Sequence, residues 1–124
     1  VHSRRLHAPE TGSWRGDVHE LCVFLMDFLE DPVERSTSVL LMAGQESDLS
    51  EVLVESWQPF VDEVTAMVER AVQRGEIREG TDPGVVGSLI AGPLVMHAHV
   101  MHTRPTPEHF DGIVDAIVRA FAPA

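Results

Sequence analysis

Residues 82–103 read DPGVVGSLIAGPLVMHAHVMHT, and no Asp, Glu, Lys or Arg occurs between Val85 and Met101. Asp82 followed by Pro83 is typical of a helix N-cap and the first helical position. The helix that follows is apolar nearly all round, and such a helix is stable only where most of its surface is buried. Because it also contains a serine, a proline and two histidines, it is too short and too polar to cross a membrane comfortably. We therefore predict a buried helix of a soluble protein.

Similar signals mark four further helix starts around this segment. They are Asp31 before Pro32, Thr106 before Pro107, Ser13 at the head of its segment, and Asp48 with Glu51 as a capping partner. Gly44 and Gly75 are expected to end two helices, because glycine accepts the left-handed conformation found there. Pro59 removes one backbone donor inside its segment and predicts a kink or a break. The predicted helices span about 14–30, 32–43, 49–74, 83–103 and 107–122.

Hydrophobic periodicity agrees with this partition. Apolar residues recur at steps of three and four from Val18 to Leu29 and from Leu53 to Val72, which places each set on one helix face. No alternating pattern long enough for a strand occurs. A chain of 124 residues has the length of one domain. We therefore predict a single all-α domain over residues 1–124 with five helices.

Composition excludes several classes of function. The chain is 44% hydrophobic and 23% charged, which is ordinary for a folded protein, and its net charge is -11. This charge repels nucleic acid phosphates and anionic lipids, so neither is expected to bind this segment. The single Cys22 cannot form an internal disulfide, and no apolar leader follows a basic start. A cytoplasmic location without membrane attachment is expected.

No catalytic or metal site is predicted. The candidate nucleophiles Cys22, Ser36, Thr37 and Ser38 have no recognisable base, and the glycine loops that hold phosphates are absent. Cys22 lies on an apolar helix face and is expected in the core. Two histidines of the fourth helix, His99 and His102, could face one metal ion, but one cysteine offers no paired thiolates for structural zinc. We expect no metal and no cofactor, with these histidines hydrogen-bonded at a helix end or an interface.

The last two predicted helices carry more apolar surface than five helices can cover. We therefore predict that they pack against their copies in a second chain as a four-helix bundle. The alternative is that both are central in a monomer core. The predicted interface comprises Ser88, Ala91, Val95, Ala98, His102, Phe110, Gly112, Ile113, Ala116, Ile117, Ala120 and Phe121.

Three motifs together resemble a known family. They are TGSWRGD at residues 11–17, AVQRGEIR at residues 71–78 before Thr81-Asp82-Pro83, and IAGPL at residues 90–94. Nearly the whole chain resembles the C-terminal regulatory domain of TetR-family transcriptional regulators. The resemblance implies a homodimer through the last two helices, a ligand pocket within each protomer and an N-terminal DNA-binding domain. No helix-turn-helix occurs among these residues, so operator DNA is expected to be bound only through an N-terminal domain absent from this chain.

An apolar pocket between helices is the expected binding site, and it would take a small hydrophobic or aromatic effector. The predicted ligand-binding residues are Phe24, Leu25, Phe28, Met42, Trp57, Phe60, Val64, Met67, Met96 and His97. His97 would donate or accept the hydrogen bond that orients the ligand. Two alternatives stay open: a stand-alone helical protein-interaction module without a pocket, and a histidine-metal bundle enzyme.

Overall fold

A computed structural model describes residues 9–36 and 47–124. The helices are α1 (Trp14–Glu30), α2 (Ser47–Gln73), α3 (Pro83–Val95), which continues as a π-helical turn over Met96–Met101, and α4 (Pro107–Ala120). Residues 32–36 are also helical. All regular secondary structure in the described ranges is helical, which confirms the all-α prediction. Met42, Gly44 and residues 37–43 of the predicted helix 32–43 lie outside these ranges.

The predicted helix starts are set by local capping bonds. The side chain of Ser13 accepts a hydrogen bond from the Gly16 backbone, that of Asp82 from Gly84, and that of Thr106 from His109, at 3.0, 2.8 and 3.1 Å. Each cap satisfies a backbone N–H that has no partner inside its helix. The start at Asp48 was placed slightly late, since α2 already begins at Ser47.

Helix α2 runs through Pro59 as one element of 27 residues, so the predicted break is not seen. A proline inside a helix removes a single hydrogen bond, and the exposed carbonyl one turn earlier can bind water instead. Phe60, Val64 and Met67 are buried after it and hold the helix against the core. Packing therefore outweighs the local propensity of proline.

The end of α2 has the geometry predicted for Gly75. This residue has a φ of +75°, in the left-handed region. Its N–H donates to the Val72 carbonyl and the Glu76 N–H donates to the Ala71 carbonyl, both at 3.0 Å. These two bonds form a Schellman motif, which satisfies the last carbonyls of the helix.

Helix α3 buries one face only. Val86, Ile90 and Leu94 have no exposed surface and pack in the core with α1 and α2. On the opposite face Val85, Leu89, Met96 and Val100 are 47%, 44%, 49% and 63% exposed. The expectation that this helix is buried on every side is therefore not met within one protomer. Within the described residues, Pro83–Met101 is also the helix long and apolar enough to span a membrane by length and composition.

One end of the bundle is connected by polar contacts. Arg15 of α1 forms an ion pair of 2.5 Å with Asp115 of α4. The Arg78 backbone, between α2 and α3, donates to the Phe121 carbonyl at 3.1 Å. The start of α1, the segment after α2 and the end of α4 are thereby joined at one end of the domain.

Candidate functional site

The predicted ligand-binding residues lie in or beside the core. Leu25, Phe60, Val64, Met67 and His97 are buried, whereas Met96 lies on the exposed face of α3. The half-buried residues of this set are Phe24, Phe28 and Trp57. The structure thus brings residues from α1, α2 and α3 together, and Met42 is outside the described ranges.

Phe60 and Val64 of α2 face Gly87 of α3. A methyl group added to Gly87 would lie 3.5 Å from Phe60 Cε2 and 3.9 Å from Val64 Cγ1. The Trp57 and Phe60 rings meet edge to face, with centroids 5.5 Å apart. A methyl group at Gly87 would therefore lie at ordinary van der Waals distance from these side chains.

The ring of His97 contacts two neighbouring side chains. Its Nδ1 lies 3.0 Å from the Thr103 hydroxyl, and its ring meets the His109 ring edge to face at 4.9 Å. Among the residues that the structure describes, no group of three or more His, Cys, Asp and Glu side chains could hold a metal ion.

A cleft of about 70 Å³, open to solvent, lies beside the predicted set. We call it the polar cleft. None of the predicted ligand-binding residues lines it. It is lined by Met26, Leu29, Glu30, Arg35, Ala98, His102, Thr103 and Arg104. Of these residues, Ala98 and His102 were predicted at the dimer interface, and the others were not predicted at any site. The sequence signal that could have indicated this cleft is the polar run His-Thr-Arg at residues 102–104, directly after an uncharged helix.

Charged groups line the rim of the polar cleft. Arg104 donates to Asp27 at 2.9 Å and also to Glu30. Burial opposes the charge of Arg104, but these two bonds outweigh it and raise the pKa of its guanidinium. On the other side Arg35 Nη2 contacts His102 Nδ1, which joins residues that are 67 positions apart.

His99 lies next to this rim. Both of its ring nitrogens are shielded from solvent and have no hydrogen-bond partner among the described residues. Burial, the positive charge of Arg35 and the neighbouring His102 lower the pKa of His99. The imidazole is therefore held neutral beside a cation, with polar atoms available for bonding.

The predicted interface residues divide between core and surface. Ala98, Phe110 and Ile117 are buried in the core of the protomer itself. The half-buried ones are Ala91, Val95, Ile113 and Phe121, and the exposed ones are Ser88, His102, Gly112, Ala116 and Ala120. Sequence reasoning missed Val85, Leu89 and Val100, which form the exposed apolar face of α3.

The Cys22 thiol is not placed for chemistry. It is fully buried, and this burial raises its pKa to about 12. A thiol reacts as the thiolate, which is scarce at neutral pH when the pKa is this high. Cys22 is therefore a core residue, as its position on an apolar face predicts.

The motif TGSWRGD builds a polar cluster at the start of α1. Asp17 has no exposed surface, and its carboxylate accepts from the Thr11 backbone and hydroxyl at 2.8 and 2.6 Å. Arg74 Nη2 lies 3.5 Å from Asp17. Glu76 accepts from the Trp14 backbone at 3.0 Å. The segment before α1 and the first turn of α1 are therefore fixed to the end of α2.

Two comparisons with known proteins bear on this fold. The family described as "Tetracyclin repressor-like, C-terminal domain" matches residues 8–117. The chain is also 34% identical over 95 residues to a protein of Bacillus subtilis (strain 168) named "Uncharacterized HTH-type transcriptional regulator YdeS". That alignment covers 73% of this chain and 46% of the relative, so the chain spans about half the length of the curated relative. The helices, their order and these matches together place the chain in the family of tetracycline repressor-like C-terminal domains.

Proposed function

We propose that this chain is the effector-binding and dimerisation domain of a DNA-binding transcriptional regulator. It would bind a small hydrophobic or aromatic compound and act in the cytoplasm. Operator DNA would be bound by an N-terminal domain outside this chain. The Bacillus subtilis relative is named an HTH-type transcriptional regulator, which supports this division of roles. The net charge of -11 supports a domain that does not itself contact DNA.

The exposed apolar face of α3 carries the proposal. Val85, Leu89, Met96 and Val100 are each more than two-fifths exposed in one protomer. A contiguous apolar surface of this kind marks an interaction site on a soluble protein. A symmetric dimer would bury it against its own copy, so α3 would contact a partner helix rather than lipid.

Small residues on α4 also support the proposed dimer interface. Gly112, Ala116 and Ala120 are exposed and lie four residues apart, on one side of the helix. A methyl group added to Gly112 meets nothing within 4 Å in the protomer. Small side chains allow another helix to approach closely, which is the packing expected of a four-helix interface formed by α3 and α4 of two chains.

Effector binding would act through the packing of α2 on α3. A ligand larger than a methyl group that enters beside Phe60 and Val64 would push α2 away from α3, because both side chains face Gly87. Two packed arrangements with different affinity for the ligand form a switch. In the longer protein this change would alter the spacing of the paired DNA-binding domains.

The molar mass of the chain in solution tests the proposed dimer. Light scattering over a concentration series should give twice 13.7 kDa for the wild-type chain. Leu89→Glu should yield a monomer, because it places a carboxylate at the centre of the proposed interface. Val61→Glu is the matched control, since Val61 on α2 is exposed to a similar extent, at 42% against 44%. A wild-type monomer at all concentrations would reject the dimer and favour a helical interaction module.

Effector binding is tested by thermal stabilisation with a panel of small neutral aromatic compounds. A ligand that binds only the folded state raises the melting temperature, and the rise grows with the logarithm of its concentration above the dissociation constant. Phe60→Ala should remove the stabilisation by a bound compound, while Val68→Ala, a buried residue of α2 outside the predicted ligand and interface sets, should retain it. Retention of the effect in both variants would place binding elsewhere.

A further inference from the structure

A contact between two side chains joins the helical turn of residues 32–36 to the end of α3. Arg35 Nη2 contacts His102 Nδ1, although the two residues lie 67 positions apart. A guanidinium has donors only and keeps its positive charge, so the ring nitrogen that it contacts must accept the hydrogen bond and carry no proton. The contact therefore exists only while His102 is neutral.

Backbone hydrogen bonds hold both residues in position. The Arg35 N–H donates to the Asp31 carbonyl at 2.8 Å, and the His102 N–H donates to the His97 carbonyl. His102 has a φ of 53°, in the left-handed region, directly after the last π-helical turn. A helix as short as the turn of residues 32–36 is not stable alone in water, so this turn depends on contacts with distant parts of the chain. The contact of Arg35 with His102 is one of them.

His99 is a second titratable side chain at the same place. Both of its ring nitrogens are shielded from solvent and have no hydrogen-bond partner among the described residues. Burial, Arg35 and His102 lower the pKa of His99. From α4, His109 contacts the ring of His97. A group whose pKa is lowered by its surroundings favours, once protonated, the state in which it leaves them. Protonation of His99 therefore acts against this arrangement in the same direction as protonation of His102.

The other charged groups around the contact balance one another. Asp27 and Glu30, in the last turn of α1, both bind Arg104. These two carboxylates are matched by the two guanidinium groups of Arg104 and Arg35, so the cluster has no net charge while both imidazoles are neutral. Each histidine that gains a proton adds a positive charge beside Arg35 that no carboxylate of this cluster offsets, and like charges at close range repel each other.

We infer that the contact of Arg35 with His102 is a pH-sensitive latch, which holds the turn of residues 32–36 on the end of α3 at neutral pH and releases it in mild acid. Protonation of His102 removes the acceptor, and protonation of His99 adds a second positive charge beside Arg35. The turn then loses a long-range contact on which it depends. The latch needs neither an effector nor a second chain, so its test is independent of the proposed function.

Limited digestion with trypsin tests the latch. Trypsin cleaves after arginine and lysine, the chain contains no lysine, and mass spectrometry identifies the fragments. The rate of cleavage after Arg35 is divided by the rate after Arg78 in the same digest, which cancels the pH dependence of the protease. Arg78 is exposed and lies between α2 and α3, near the opposite end of the bundle. We expect this ratio to rise at least about five-fold between about pH 8 and about pH 5.5, the range in which histidine gains its charge.

Glutamine substitutions assign the effect to the two histidines. His102→Gln keeps an acceptor for Arg35 that does not titrate, and the double variant His99→Gln/His102→Gln also removes the second protonation site. In the double variant the ratio should change by less than about two-fold over the same pH range. His19→Gln is the matched control, because His19 is exposed in the first half of α1, and it should behave as wild type. Circular dichroism verifies that each variant is folded.

Two results would overturn the inference. The first is a ratio that stays constant with pH in the wild-type chain. The second is an equal rise in the folded double variant, because release of the turn would then not depend on these imidazoles. If the double variant does not fold, His102→Gln alone decides in the same way, since it alters only an exposed side chain.

Discussion

Arg74 Nη2 lies 3.5 Å from the carboxylate of Asp17, a side chain with no exposed surface. Arg70 lies 3.9 Å from the same carboxylate and also donates to the Pro9 carbonyl. A buried carboxylate needs such partners, because the loss of its hydration is costly. The pair therefore fixes the chain before α1 to the last turn of α2.

We expect Asp17→Asn to lower the free energy of unfolding by about 1.5–3 kcal/mol, the range for hydrogen bonds to charged groups. The amide retains an acceptor for Thr11 but removes the charge that faces Arg74. Asp115→Asn is the control, because the ion pair of Asp115 with Arg15 is exposed and is expected to contribute only about 0.2–1 kcal/mol. Urea denaturation measures both. Equal losses in the two variants would contradict a special role for the buried carboxylate.

Acid should destabilise the chain through His99. Burial, Arg35 and His102 lower the pKa of His99 below its ordinary 6.5, so the unfolded state binds a proton more readily than the folded state. The contribution of His99 is therefore complete above pH 6.5 and is lost as the pH falls toward the lowered folded value. As the pH falls through this window, the melting temperature of wild type should drop by more than that of His99→Gln, which does not titrate. A difference that stays constant with pH would refute the assignment.

The Cys22 thiol should not react in the folded chain. With a pKa raised to about 12 and no exposed surface, it offers little thiolate and no access to a reagent. An aromatic disulfide reagent at neutral pH should leave the native chain unmodified and label one thiol after unfolding in guanidinium chloride. Rapid labelling of the native chain would show that α1 opens or that the thiol is exposed.

The end of α2 depends on the left-handed conformation of Gly75. Alanine at this position adds a side chain to a residue with φ of +75°, which should cost about 1–2 kcal/mol. Asparagine tolerates this conformation better, so Gly75→Asn should cost less than Gly75→Ala. Thermal unfolding compares the two. Identical costs would show that local unfolding of the helix end relieves the strain.

The sequence predicted local structure well because caps act over three residues. Ser13, Asp82 and Thr106 each bond a backbone N–H two or three positions later, as their residue types indicate. The sequence left open whether α2 kinks or breaks at Pro59, because the continuity of the helix depends on contacts with distant residues. The helix end at Gly75 could be predicted from the glycine alone.

The candidate sites were less predictable for two physical reasons. Helix α3 is apolar on nearly all sides, so its composition does not indicate which face meets the protomer core and which is left for a partner. The exposure of Leu89 was therefore not predicted. In the polar cleft Arg35 contacts His102, which lies 67 residues later in the sequence. Sequence patterns that span a few residues cannot predict such a long-range contact.

The ion pair between Arg15 and Asp115 holds the start of α1 against α4. The other end of α1, beside the polar cleft, is held by Arg104, which binds Asp27 and Glu30. A helix of 17 residues is about 25 Å long at 1.5 Å per residue, so α1 is anchored by charged contacts at two points far apart along its axis. Because Leu21, Cys22 and Leu25 are buried between these points, the helix is restrained along its whole length within the protomer.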